Sequence, residues 1–192
     1  MGFIAKLTSA LILTVGIASA SEYSLDSSHT NVSFSVKHLM ITNVKGEFKK
    51  YDANIDFDAA SRTFKTFKAN VDTGSVDTGI VKRDNHLKSE DFFLAEKYPK
   101  MIFEMKSYEA DGDEGKMKGD LTIRGITKSV TFEVEDLATI KDFEGNNRVG
   151  FTLKGKINRM DYDLKWNKAL ELGGVAVAED VKISVDIEAV EK

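Results

Sequence analysis

Apolar and polar residues alternate along most of the chain. Val32, Phe34, Val36 and His38 share one parity, with Ser33, Ser35 and Lys37 between them. A strand with one buried face requires this pattern. It recurs at Tyr51, Ala53, Ile55 and Phe57, at Met101, Phe103 and Met105, and at Met117, Gly119, Leu121 and Ile123. It returns at Val130, Phe132 and Val134, at Val149, Phe151, Leu153 and Ile157, and at Val181, Ile183, Val185, Ile187 and Ala189. Thr63 to Val71 is a weaker copy. The spacing predicts eight strands at roughly 32–40, 44–57, 63–75, 101–110, 115–124, 128–140, 147–159 and 180–190. Turn residues such as Asp111-Gly112, Arg124-Gly125 and Glu144-Gly-Asn-Asn147 separate them. Connections this short imply antiparallel neighbours. The single proline, Pro99, lies outside every predicted strand.

Val76 to Pro99 does not alternate. Ile80, Leu87, Phe92, Phe93 and Leu94 fall at helical spacing, and Ser89 before Glu90-Asp91 reads as an N-cap with an acidic first turn. One or two short helices are expected here, between the third and fourth strands. The predicted class is therefore all-β. Eight antiparallel strands, each with one apolar face, form either a sandwich or a closed barrel. The barrel is favoured because closure removes exposed edges.

Composition narrows the function classes. The 192 residues carry a net charge of −4 and no cysteine. A disulfide framework, a thiolate metal site and a cysteine nucleophile are excluded, and the acidity argues against a nucleic-acid partner. His29, His38 and His86 are the only histidines; no metal site is expected. Residues 1–20 read as a signal peptide, with Lys6, an apolar run from Leu7 to Ile17, and Ala18-Ser-Ala20 as the cleavage site. That run is too short for a membrane span of about 20 residues, so no stable membrane insertion is expected. Residues 21–192 then form a single domain, exported to the periplasm or, as second choice, secreted.

The inward faces are rich in Phe, Val, Ile and Met, which suits either a solid core or a ligand cavity. Phe34, Val36, Met40, Phe103 and Met105 are candidate lining residues on the strands, and Phe92 and Phe93 on the non-alternating stretch. His38 and Arg159 each continue an apolar stripe at a strand end, where a polar group either reaches solvent or marks a pocket mouth. Arg83-Asp84-Asn85-His86 is the densest polar cluster. It reads as a head-group site, an acid–base set, or a helix surface bonded to the barrel rim. Trp166, the only tryptophan, is either a lid over one barrel end or a plug of the core.

The sequence also resembles a known family. Tyr23-Ser-Leu-Asp26 with His29, Val32-Ser-Phe-Ser-Val-Lys-His-Leu39, Gly46-Glu-Phe48, Val76-Asp-Thr78, Arg83-Asp-Asn-His-Leu87, Asp91-Phe-Phe93, Tyr98-Pro99 with Phe103, Gly119-Asp-Leu-Thr-Ile-Arg-Gly125 and Ile157-Asn-Arg159 occur in its order. With the closing strand Val181–Ala189, this set is similar to the YceI family of exported bacterial lipid-binding proteins. One departure is visible: Asp163 follows Tyr162 where the family often has glycine. The resemblance implies an extended lipocalin-like barrel holding a long-chain amphiphilic lipid, such as a polyprenyl phosphate, an isoprenoid quinone or a fatty amide. It implies neither catalysis nor another cofactor, and it admits a homodimer. The alternatives are an enzyme of small lipophilic substrates using Asp84 and His86, and a filled-core structural or stress protein.

Overall fold

The computed structural model describes residues 20–170 and 173–192. All but the last residue of the expected signal peptide lie outside them. The chain forms β1 (Ser21–Leu25), β2 (Asn31–His38), β3 (Thr42–Phe48), β4 (Tyr51–Asp58), β5 (Thr63–Asp72), β6 (Val76–Asp77), the helix α1 (Val81–Lys88), β7 (Lys100–Asp111), β8 (Glu114–Ile123), β9 (Ile126–Lys141), β10 (Asn147–Asn158) and β11 (Val177–Glu191). All pair antiparallel in one sheet.

Eight strands close a barrel in the order β1-β4-β5-β7-β8-β9-β10-β11, with β11 returning to β1. The last strand serves two partners. Ala189–Glu191 pair with β1, whereas its first ten residues run beside β2. β2 then pairs with β3, and β3 with β6, so these three strands extend the wall past the end of β1. A turn at Asp26–Thr30 lets β1 and β2 follow one another along β11; there the His29 amide donates to the Asp26 carbonyl.

Two of the predicted boundaries shift. The single strand expected over 44–57 is broken at Lys49-Lys50. Inward positions are even-numbered before the break (Val44, Phe48) and odd-numbered after it (Ile55, Phe57), and one ladder cannot carry both parities. The break is satisfied elsewhere: the amides of Lys49 and Lys50 donate to the carbonyl and hydroxyl of Ser75. The helix also starts earlier than expected. Ser89 ends α1, its hydroxyl donating back to the His86 carbonyl, and is not an N-cap. Residues 89–98 run as turns, because Leu94 takes φ +47° and interrupts any right-handed helix.

The barrel has unlike ends. At the end holding β1, the core is solid: Tyr23, Phe57, Phe64 and Phe151 are buried with Met117, Val134 and Val149. Phe64 meets Phe57 and Phe151 at 4.8 Å, centroid to centroid. Gly119 permits similar density lower in the wall, since a Cβ there would lie 2.5 Å from the Glu104 carbonyl oxygen and 2.6 Å from the Phe103 ring. Outside this end, Arg148 ties three segments together. It donates to Asp26 at 2.9 Å, Glu188 at 2.7 Å and Asp142 at 2.8 Å. The bonds from His29 and Arg148 hold the Asp26 carboxyl, and those from Arg148 the Asp142 carboxyl, well below the usual carboxylate range.

Candidate functional site

The other half of the barrel encloses a cavity of about 330 Å³. Its floor is aromatic and aliphatic: Phe67, Phe103, Phe132 and Leu153 separate it from the solid end. Phe103 lies edge-on to Phe132 at 5.1 Å and 6.1 Å from Phe67. Val32, Phe34, Val36 and Val44 supply one wall from β2 and β3. Ala53, Ala69 and Val71 supply another from β4 and β5, and Val181, Ile183 and Val185 a third from β11. The two alanines are register partners, which leaves room where larger side chains would meet.

Polar groups reach the cavity near the far end of the barrel, and four segments place them there. From α1 come Arg83 and His86; from the loop after β10, Trp166; from the turn that ends β10, Arg159; and from the end of β2, His38. His86, Phe92 and Trp166 pack as a triangle, with ring centroids 5.0, 4.9 and 5.5 Å apart. His86 Nε2 lies 2.8 Å from the Asp91 carboxylate, which fixes the imidazole.

Neither arginine has a carboxylate partner among the described residues. Arg83 donates from Nε to the Thr78 hydroxyl at 2.7 Å and from Nη2 to the Thr78 carbonyl at 2.9 Å. Arg159 is only 4 % exposed and donates to the carbonyls of Ala178 and Val177 at 2.9 and 3.2 Å, and to that of Leu164. Burial lowers the affinity of its guanidinium for the proton, partly opposed by Glu179. Such donors hold positive charge beside an apolar chamber without the charge being cancelled on the spot. Beside Arg159, burial pushes the Tyr162 phenol up to about 12, with Asp161 adding to the effect.

Ten of the residues predicted from sequence line this cavity: Phe34, Val36, His38, Arg83, His86, Phe92, Phe93, Phe103, Arg159 and Trp166. Three do not. Met40 sits in the β2–β3 turn at φ +63°, with its side chain 52 % exposed. Asp84 is buried, but its carboxylate accepts from the Thr78 amide at 2.9 Å and from the Thr78 hydroxyl, locking the start of α1. Met105 shares the parity of Phe103 but packs against the core outside the cavity lining. Asp84 and His86, offered as an acid–base pair, bond to different partners. Phe67, Phe132, Leu153 and Leu164 line the cavity and were missed as site residues. For the strand residues among them, parity could show the inward face but not the depth along the barrel.

The ordered motifs and the closed barrel meet in one family. A profile for the YceI-like domain matches residues 23–189. The chain belongs to the YceI family. A UPF0312 protein of Staphylococcus aureus strain N315 is 39 % identical over 171 residues, covering 88 % of this chain and 96 % of that one. The crystal structure of the Campylobacter jejuni YceI protein is 43 % identical, with TM-score 0.73 over 88 % of this chain and 98 % of the other. A polyisoprenoid binding domain from Saccharophagus degradans, implicated in plant cell wall breakdown, shares the fold at 16 % identity and TM-score 0.63, covering 88 % and 98 %. Asp163, where the resemblance led to an expectation of glycine, takes φ +60°. Glycine adopts that conformation freely and Asp tolerates it. The Asp163 carboxylate pairs with Lys165 at 2.8 Å.

Proposed function

We propose that this protein binds one long-chain amphiphilic lipid, an isoprenoid or a molecule of similar shape, inside the barrel and carries it in the periplasm without chemical change. The observation that carries the reading is the apolar cavity itself, with uncancelled guanidinium groups toward one end. Both arginines are donors only. A phosphate, a quinone carbonyl or an amide carbonyl would each satisfy them, and an anionic head would gain most. The polyisoprenoid-binding neighbour supports the same ligand class, and the leader-like residues 1–20 support the compartment.

The magnitudes favour the tail as the source of affinity. At roughly 30 Å³ per methylene-sized group, the volume of one liquid water, the cavity holds on the order of ten tail carbons before any side chain moves. Burying each contributes about 0.8 kcal/mol, hence about 8 kcal/mol in all. A single head-group hydrogen bond adds about 0.5–1.5 kcal/mol net. Longer chains gain more only where wall side chains give way or the tail extends beyond the chamber.

Trp166 is a built-in reporter, being the only tryptophan and part of the cavity lining. Titrating delipidated protein with a prenyl phosphate, a prenyl quinone and a fatty amide should give a saturable change in tryptophan emission for at least one. No change with any of them, and no competition with a lipophilic dye, overturns the proposal.

A further inference from the structure

Large apolar side chains are exposed at seven described positions, and they are not scattered. Leu39, Met40 and Ile41 form the β2–β3 turn, and Ile80 and Val81 open α1. The remaining two, Ile140 and Phe143, lie at the turn between β9 and β10. β6 runs antiparallel to β3, so the chain leaving Asp77 heads toward the Thr42 end of β3. The first five positions therefore share one end of the barrel, where His38, Arg83 and Trp166 reach the cavity. Ile140 and Phe143 mark the opposite, solid end.

The turn itself is unusual for a solvent-facing loop. Leu39 and Met40 take φ +49° and +63°. Hairpin turns with this geometry favour Asn and Gly, because bulky side chains rarely adopt it. Here the sequence holds three large apolar side chains outward instead. Ile41 is 80 % and Val81 75 % exposed. Lysines flank them: Lys37 and Lys45 on β2 and β3, Lys82 beside Val81, and Lys168 on the loop whose Ala176 carbonyl accepts the Leu39 amide. None of these four has a carboxylate partner among the described residues. Of the acids near this end, Asp163 pairs with Lys165, Asp180 with Lys156 and Asp91 with the His86 ring, whereas Glu179 accepts from the Asn158 side-chain amide and has no cation partner among the described residues. An overall acidic protein thus carries an apolar tip with four unpaired lysines beside it.

We propose that this end docks on an anionic lipid bilayer, inserting Leu39, Met40, Ile41, Ile80 and Val81 among the head groups while the lysines meet lipid phosphates. Apolar side chains ringed by lysine are what an interfacial contact requires, and each basic residue adds attraction that salt screens. The cavity's polar groups then face the membrane, so a lipid can pass between bilayer and barrel with little exposure of its tail to water. This rests on the lipid-binding reading, but its test does not.

The test is co-sedimentation of the full chain with vesicles of phosphatidylethanolamine and phosphatidylglycerol, beside vesicles of phosphatidylcholine alone. The wild type should pellet with the anionic vesicles, more weakly as salt rises, and poorly with the neutral ones. The double variant Ile41→Asp/Val81→Asp and the charge variant Lys37→Glu/Lys82→Glu should each bind at least tenfold more weakly. Phe143→Asp, at the other end, should bind as wild type. All substitutions are at exposed sites, and circular dichroism with thermal unfolding confirms folding. Uptake of a water-soluble short-chain prenyl phosphate, read by Trp166, should be unchanged in every variant. No vesicle binding by the wild type, binding unaffected by both multiple variants, or binding lost with Phe143→Asp overturns the proposal. Vesicle binding without uptake of any lipid leaves docking intact and removes the carrier reading instead.

Discussion

Ala69→Leu separates a barrel with room inside from a barrel that is full. Ala69 lines the cavity opposite Ala53 on β4 and Phe103 on β7. Leucine adds three carbons there. In a packed interior such an insertion costs about 1–3 kcal/mol of stability through overpacking. Into a cavity of about 330 Å³ it buries new apolar surface instead. At about 0.8 kcal/mol per carbon the variant should gain between zero and about 2.4 kcal/mol. The same three carbons displace about three methylenes of a bound tail. Binding should weaken by up to about 2.4 kcal/mol, roughly 50-fold at 1.4 kcal/mol per factor of ten. Urea unfolding of the delipidated protein reads the first quantity, and a Trp166 titration with a prenyl lipid reads the second. Stability lowered by 1 kcal/mol or more together with unaltered affinity would refute the reasoning, because the cavity would then be neither open nor the binding site.

Other outcomes follow from single contacts. Arg159→Met leaves the carbonyls of Leu164 and Ala178 without this donor, while that of Val177 keeps the Asn167 side-chain amide; at about 1–3 kcal/mol for an unsatisfied buried group, a loss of at least about 1 kcal/mol in urea unfolding is expected. Arg83→Met should weaken binding of a prenyl phosphate at least tenfold and of the matching alcohol much less, measured by the same titration; equal losses would make Arg83 purely structural. Gly119→Ala forces a Cβ against the Glu104 carbonyl and the Phe103 ring and should cost about 1–3 kcal/mol by thermal unfolding. The carboxyls of Asp26 and Asp142 titrate below their unfolded value of about 3.9, so their stabilisation is present above that pH and is lost as the pH falls through the depressed values. His29 is shifted the opposite way, upward by Asp26, so its contribution is present below about 6.5 and fades as the pH rises through the raised value. Arg148→Met should therefore lower the urea midpoint at neutral pH and flatten its decline between pH 4 and 2, as urea melts across pH would record.

The barrel was legible because period-two alternation states directly which face of a strand is buried, and Val149 to Ile157 or Val181 to Ala189 carry it without interruption. β1 was not read as a strand, since five residues hold too few alternations, although Tyr23 is a core residue. The break at Lys49-Lys50 was hidden because both flanking segments alternate; the change of parity between them is the signal that marked it. Ser89 misled for a different reason: a cap-like residue before two acids also occurs where a helix ends, and only the left-handed Leu94 decides between them. At the site, residue type at a strand end singled out His38 and Arg159, and the dense polar cluster singled out Arg83. Sequence could not tell that Asp84 spends its carboxylate on Thr78, nor that Met40 turns outward, because both depend on contacts made by a neighbouring turn.

The central claim is a barrel that holds one lipid guest. Native mass spectrometry of the delipidated chain incubated with a prenyl phosphate measures it directly. The account predicts a single added mass at one-to-one stoichiometry in the wild type, much reduced in Ala69→Leu. A spectrum of bare protein at saturating lipid, or adducts in graded numbers that are indifferent to that substitution, would contradict it.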